Sequence, residues 1–148
     1  MKTSPDLSRL PNWRLRFDAL ITDRLRAPFA WGSNDCVLFA ADNVLALTGE
    51  DLALSLRTHT NALGAARALR RLGGLAALVE RALGPSCHAT AATQGDIVMV
   101  LMGDGSDTGF ATRSALGVCL NPQSAIGPGV DGLRQIPMAR ALCAWKVG

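Results

Sequence analysis

The spacing of apolar residues along this chain changes once, near residue 85. Before that point they recur every three or four positions. Trp13, Phe17, Leu20, Ile21 and Leu25 share one helical face, with Arg14, Asp18 and Arg24 on others. Pro11 and Asn12 suit the entrance of this helix, and Pro28 lies beyond its exit. A second helix is predicted to begin at Asn34 or Asp35 and to stop at Gly49. From Val37 to Leu47 only Asp42 and Asn43 are polar, so this helix is apolar nearly all round and belongs in the middle of a domain. Two further helices are predicted: "NALGAARALRRL", ended by Gly73-Gly74, and "LAALVERAL", ended by Gly84-Pro85.

After residue 85 the apolar runs shorten to strand length. "GDIVMVLM" and "SALGVCL" read as strands separated by the loop "GDGSDTG". "GLRQIP" and "LCAWKV" read as two more, with a turn or short helix around Met138 to Ala141. "NPQSAIGPGVDG" is rich in turn residues and is expected to project from the sheet as a contact loop. Trp145 is expected in the core. Helices first and strands afterwards predict an α+β domain with an antiparallel sheet. At 148 residues, with no repeat or linker, residues 1–148 form a single domain.

Composition narrows the classes further. Hydrophobic residues make up 49% and charged residues 18%, enough for a real core. The net charge is +3, and the basic excess lies in the first half. Aromatics are only 5% and Tyr is absent, which argues against a nucleic-acid binder. No segment is apolar for long enough to span a membrane, and the N-terminus has no stretch suited to a signal peptide, so a soluble chain is expected. Arg67, Arg70 and Arg71 read as one solvated helix face. "GDGSDTG" lacks the ligand set of a calcium loop.

The four cysteines, Cys36, Cys87, Cys119 and Cys143, form no C-x-x-C pair and read as free thiols. No metal site or cofactor is expected. Cys36 stands apart because it follows a series of good N-cap residues in "WGSNDC". If Asn34 or Asp35 caps the second helix, Cys36 lies in its first turn. There the free amides and the helix dipole stabilise a thiolate and lower the thiol pKa. Trp31 would wall one side of a cleft. A buried structural thiol is the competing reading.

"PFAWGSNDCVLFAADNVLALTG", "QGDIVMV", "LGVCL" and "CAWKV" resemble the NlpC/P60 cysteine peptidases. They are most similar to an NlpC/P60-like family of tailed bacteriophages and prophages encoded among tail-tip genes. The resemblance runs from about residue 12 to residue 147. It implies a papain-like fold, in which N-terminal helices, with a central Cys-bearing helix among them, pack on a C-terminal antiparallel sheet. It also implies Cys36 as nucleophile, Asp35 as its neighbour in the cleft, and Asp96 at the head of the first strand. The strand that carries the family's catalytic His aligns with "ALGV", which puts Ala115 at that position. Alanine cannot accept a proton from a thiol. Asn121 and Gln123 lie nearest to the third, polar position. Of the two histidines, His59 is expected to be exposed after the central helix. His88, upstream of the first strand, is the candidate substitute base.

The resemblance implies a structural component of a phage tail tip, in the baseplate hub region, that has lost peptidase activity. The alternative is an active peptidoglycan-cleaving cysteine peptidase acting during cell-wall penetration and genome injection. The implied partners are other tail-tip or hub proteins, with peptidoglycan as the partner in the alternative. The implied location is the virion, after assembly in the host cytoplasm.

Overall fold

A computed structural model describes residues 7–31, 33–52, 74–101 and 114–148. The first helix, α1, spans Trp13–Arg24, the second, α2, Cys36–Thr48, and the third, α3, Leu75–Leu83. The strands are β1 (Ile97–Leu101), β2 (Ser114–Asn121), β3 (Ser124–Gly129), β4 (Gly132–Pro137) and β5 (Ala141–Trp145). Short 3₁₀ turns cover Ala89–Ala91 and Met138–Arg140. The sheet order is β4-β3-β2-β1-β5 and every pair is antiparallel. The protein is therefore α+β with its helices first, as the apolar spacing predicts. The segment "NALGAARALRRL", His59, the three clustered arginines and "GDGSDTG" lie outside the described residues. Among the described residues no helix is long and apolar enough to cross a membrane.

The local causes are visible at the ends of α2. Asp35 is its N-cap, and the Asp35 side chain accepts the Leu38 N–H at 2.9 Å. Gly49 closes it in the left-handed region at φ 83°, and its N–H donates to Leu45 O. Leu38, Phe39, Ala40, Ala41, Val44 and Leu47 are all buried, which explains why so little of this helix is polar. Asn43 is the exception: it is fully buried, and its Nδ2 donates to Gly95 O at 2.8 Å.

The main core lies between α2 and one face of the sheet. Phe39, Val44 and Leu47 pack there with Phe17 of α1, Ile97 of β1, Leu116 and Val118 of β2, and Trp145 of β5. Trp145 is 0% exposed, as expected of a core residue. The other face carries a smaller core of Val98, Val100, Cys119, Ala125, Ile136 and Ala144. The strands are thus covered on both sides.

One strand departs from the sequence reading. "SAIGPG", expected to project as part of a contact loop, is β3, an interior strand with Ala125 and Ile126 buried. Its glycines and proline carry little strand propensity, so the apolar pair was its only local signal. Pro128 is tolerated because the β2–β3 ladder has already ended at Val118↔Ile126. The two-residue turn Val130-Asp131 then leads into β4.

Ion pairs tie the termini and helices together. Asp96, fully buried just before β1, accepts from Arg9 Nη2 and Val147 N–H at 3.0 Å each through Oδ1. Its Oδ2 accepts from Thr93 N–H at 2.8 Å and lies 2.7 Å from Lys146 Nζ. Arg9 also donates to Val147 O at 2.7 Å and Gln94 O at 2.9 Å, and stacks over Trp13. Arg16 donates to the carbonyls of Leu45 and Ala46 at the C-terminal end of α2. Arg24 reaches Asp42 at 2.6 Å. Three of the first-half arginines therefore serve internal contacts.

Candidate active site

Cys36 is the first residue of α2, where the chain turns from an irregular approach into the central helix. The approach is fixed by Asn34. Its backbone exchanges hydrogen bonds with Ala30, and its Nδ2 donates to Pro28 O at 2.9 Å. Its Oδ1 accepts from Arg24 Nη1 at 3.1 Å. Because Arg24 also holds Asp42, one guanidinium fastens the end of α1, the approach loop and α2 together. Sequence reading offers Asn34 only as a cap; its actual work is to staple the loop.

The sulfur of Cys36 faces β2. Backbone N–H groups of Leu116, Val37 and Cys36 itself point at it and favour the thiolate, as does any helix N-terminus. Desolvation is larger and acts the other way. Together with the neighbouring Asp35 carboxylate, burial pushes the Cys36 thiol up to about 11. The activation expected from the helix end is therefore reversed. The amides are present, but Cys36 is half-buried and packs against the edge of the main core, where desolvation outweighs them. Cys119 and Cys143 are also raised, each mainly by burial.

The other predicted residues separate into two groups. Asp35 adjoins Cys36 and is buried, with its carboxylate engaged as the cap. Trp31 stands on the approach loop, 36% exposed, edge-on to Phe29 with ring centroids 4.7 Å apart. Phe29 in turn donates its N–H to Gly129 O, so this aromatic pair is anchored beside the β3–β4 hairpin. These residues share the neighbourhood of Cys36.

His88 does not. Cys87 pairs with Ala144 along the outer edge of β5, so His88 sits beyond that edge. Three strand spacings, about 14 Å, separate the Cys87 segment outside β5 from β2. His88 is exposed, and its Nδ1 is 2.8 Å from Thr90 Oγ1 and accepts Thr90 N–H. Its ring caps a 3₁₀ turn. Asn121 lies at the opposite end of β2 from Leu116, about 17 Å along the strand. Its Oδ1 accepts the N–H groups of Gln123 and Ser124 and shapes the β2–β3 turn.

Ala115 is also placed differently from expectation. Strand alternation puts Leu116 and Val118 on the α2 face, in the main core. Ala115 packs with the smaller core on the far face, opposite Val100. Its side chain is directed away from Cys36. Asp96 too is remote from thiol chemistry, since its oxygens are taken up by Arg9, Lys146, Thr93 and Val147. Among the described residues no group of three or more His, Cys, Asp or Glu could hold a metal ion.

A model for a family of domains of unknown function, DUF6950, matches residues 8–147. The chain belongs to the DUF6950 family. No curated protein and no solved structure matches it. In this DUF6950 domain, then, the site rests on its own geometry: a neutral thiol at a helix N-terminus, ringed by amides and apolar side chains. Such a group can pack or be slowly alkylated. Of the expected partners, neither His88 nor Asn121 lies beside it.

Proposed function

We propose that this chain is a structural component of a bacteriophage tail tip, in the baseplate hub region. In this reading its NlpC/P60-like, papain-like domain no longer cleaves peptide bonds. The observation that carries the loss of activity is the state of Cys36. Cys36 packs against the core edge, where burial pushes its thiol up to about 11, and the described histidine, His88, lies beyond the β5 edge of the sheet. At neutral pH such a thiol is about one part in ten thousand thiolate. Removing a member of a nucleophile–base unit typically lowers turnover by several powers of ten.

The tail-tip assignment is supported by the motif resemblance around Cys36, Asp96, Gly117 and Trp145. The partners in this reading are other tail-tip or hub proteins, met in the host cytoplasm during assembly and retained in the virion. Two measurements test it. Mass spectrometry and immunogold labelling of purified virions should find the protein at the tail tip; tails that lack it would rule the assignment out. Muropeptides incubated with the pure protein should stay intact. Cleavage by the wild type but not by Cys36→Ala would replace this reading with that of a wall-cleaving cysteine peptidase.

A further inference from the structure

The register of β2 identifies which side chain can address the Cys36 sulfur. Ser114, Leu116 and Val118 alternate onto the α2 face, while Ala115 and Gly117 alternate onto the other. The packing agrees: Leu116 and Val118 join the core that Cys36 borders, and Ala115 joins the smaller core behind the sheet. A Cβ at Gly117 would meet Val98 and Ala125, members of that smaller core.

The direction of α2 places Ser114 further. At its start, Cys36 meets the N–H of Leu116. Next to its end, Leu47 lies against Gly95, whose N–H donates to Cys119 O. The helix therefore runs along β2 in the same sense as the strand. Ser114, two residues before Leu116, lies ahead of the helix N-terminus on the same face. Exposure rises in that direction. Val118 is 0% and Leu116 3% exposed, Ser114 is half-buried, and its strand partner Leu101 is 42% exposed. Position 114 is thus the half-buried end of this face of β2, ahead of the helix that carries the thiol.

We propose that residue 114, rather than 115, is the position that sets the reactivity of Cys36: the Ser114 side chain is the one that reaches the sulfur, and a base placed there activates it. The inference rests on the reading of this site as a relic of thiol chemistry. A serine hydroxyl is too weak a base to hold the proton. A neutral imidazole at 114 would take it: the S–H bond breaks, an N–H bond forms, and a thiolate–imidazolium pair results. At position 115 an imidazole would instead be driven among Val98, Val100 and Ala125.

The test compares Ser114→His, Ser114→Lys and Ala115→His with the wild type. The readout is the rate of Cys36 alkylation by iodoacetamide from pH 5 to 10, followed by peptide mass spectrometry. A fall of about two pH units in the thiol pKa raises the thiolate fraction about 100-fold at neutral pH. Lower nucleophilicity returns roughly tenfold of that, leaving a gain of about tenfold. Ser114→His should show this gain at pH 7, with an inflection in the imidazole range near ~6.5. Ser114→Lys should show a gain without that inflection. Ala115→His should match the wild type or unfold. Acceleration by Ala115→His would overturn the proposal. So would folded 114 variants with rates within twofold of wild type, or failure of both 114 variants to fold, because a half-buried strand end tolerates larger side chains. Muropeptide cleavage by the wild type would overturn the loss of activity instead, and these rates would still decide between the two positions.

Discussion

Replacing Asp96 by alanine is expected to be among the most damaging single changes in this chain, although Asp96 takes no part in the thiol site. Its side chain is 1% exposed and is held by Arg9, Lys146, Thr93 and Val147. Removing the carboxylate leaves the Arg9 guanidinium, 17% exposed, without its counter-charge. Breaking a buried pair in this way costs about 3–5 kcal/mol. The amides of Thr93 and Val147 also lose their acceptor, at roughly 1–3 kcal/mol for each left without a partner. The Lys146 contact adds little because that side chain is 50% exposed. These contributions overlap, so about 4 kcal/mol is expected, a large share of the roughly 5–15 kcal/mol typical of a domain. Urea unfolding followed by tryptophan fluorescence should show a lower midpoint at similar slope, and the melting temperature should fall by about 8–16 °C. Lys146→Ala, the control, should lose less than about 1 kcal/mol. An Asp96→Ala chain within about 1 kcal/mol of wild type, at unchanged slope, would refute this account of the network.

Four further outcomes follow from the same structure. Raising the pH from about 9 to 11 should destabilise the fold through Cys36, because the unfolded thiol ionises in that window while the folded one keeps its proton. The loss should be about 3 kcal/mol at most, absent in Cys36→Ala, and measurable by urea unfolding at each pH. His88→Ala should leave stability within about 0.5 kcal/mol and Cys36 alkylation unchanged, since that ring only caps an exposed turn. Gly132→Ala should cost about 2 kcal/mol or more by thermal melting: φ is +122°, and the new Cβ would strike the backbone of Leu25 and Arg26. Arg24→Ala should cost about 2–3 kcal/mol in urea unfolding, by cutting the links from α1 to Asn34 and Asp42.

The helical half was legible because its signals are local. The N-cap series before Cys36, the apolar run to Leu47 and the glycine stop at Gly49 each act within a turn or two. Four strands were legible for the same reason. β3 was not, because Gly127, Pro128 and Gly129 read as turn chemistry, and only pairing on both sides makes them a strand. The site was legible in its centre and misread in its surroundings. Helix-end chemistry alone predicts a lowered Cys36 thiol, but the outcome depends on how far Cys36 is desolvated against the core, and tertiary packing decides that. The face on which Ala115 lies depends on register, since Ala115, Leu116, Gly117 and Val118 are apolar on both sides of the strand. Arg9 carried no signal at all, because its partners Asp96 and Val147 lie 87 and 138 residues away.

The state of the Cys36 sulfur is the central claim, and titrating it by alkylation is the most direct test. Iodoacetamide labelling of Cys36 in the wild type, measured from pH 6 to 11, should rise about tenfold per pH unit and approach a plateau only near 11. A plateau at or below ~8.5 would contradict the account, because the helix end would then have overcome burial and left an activated nucleophile.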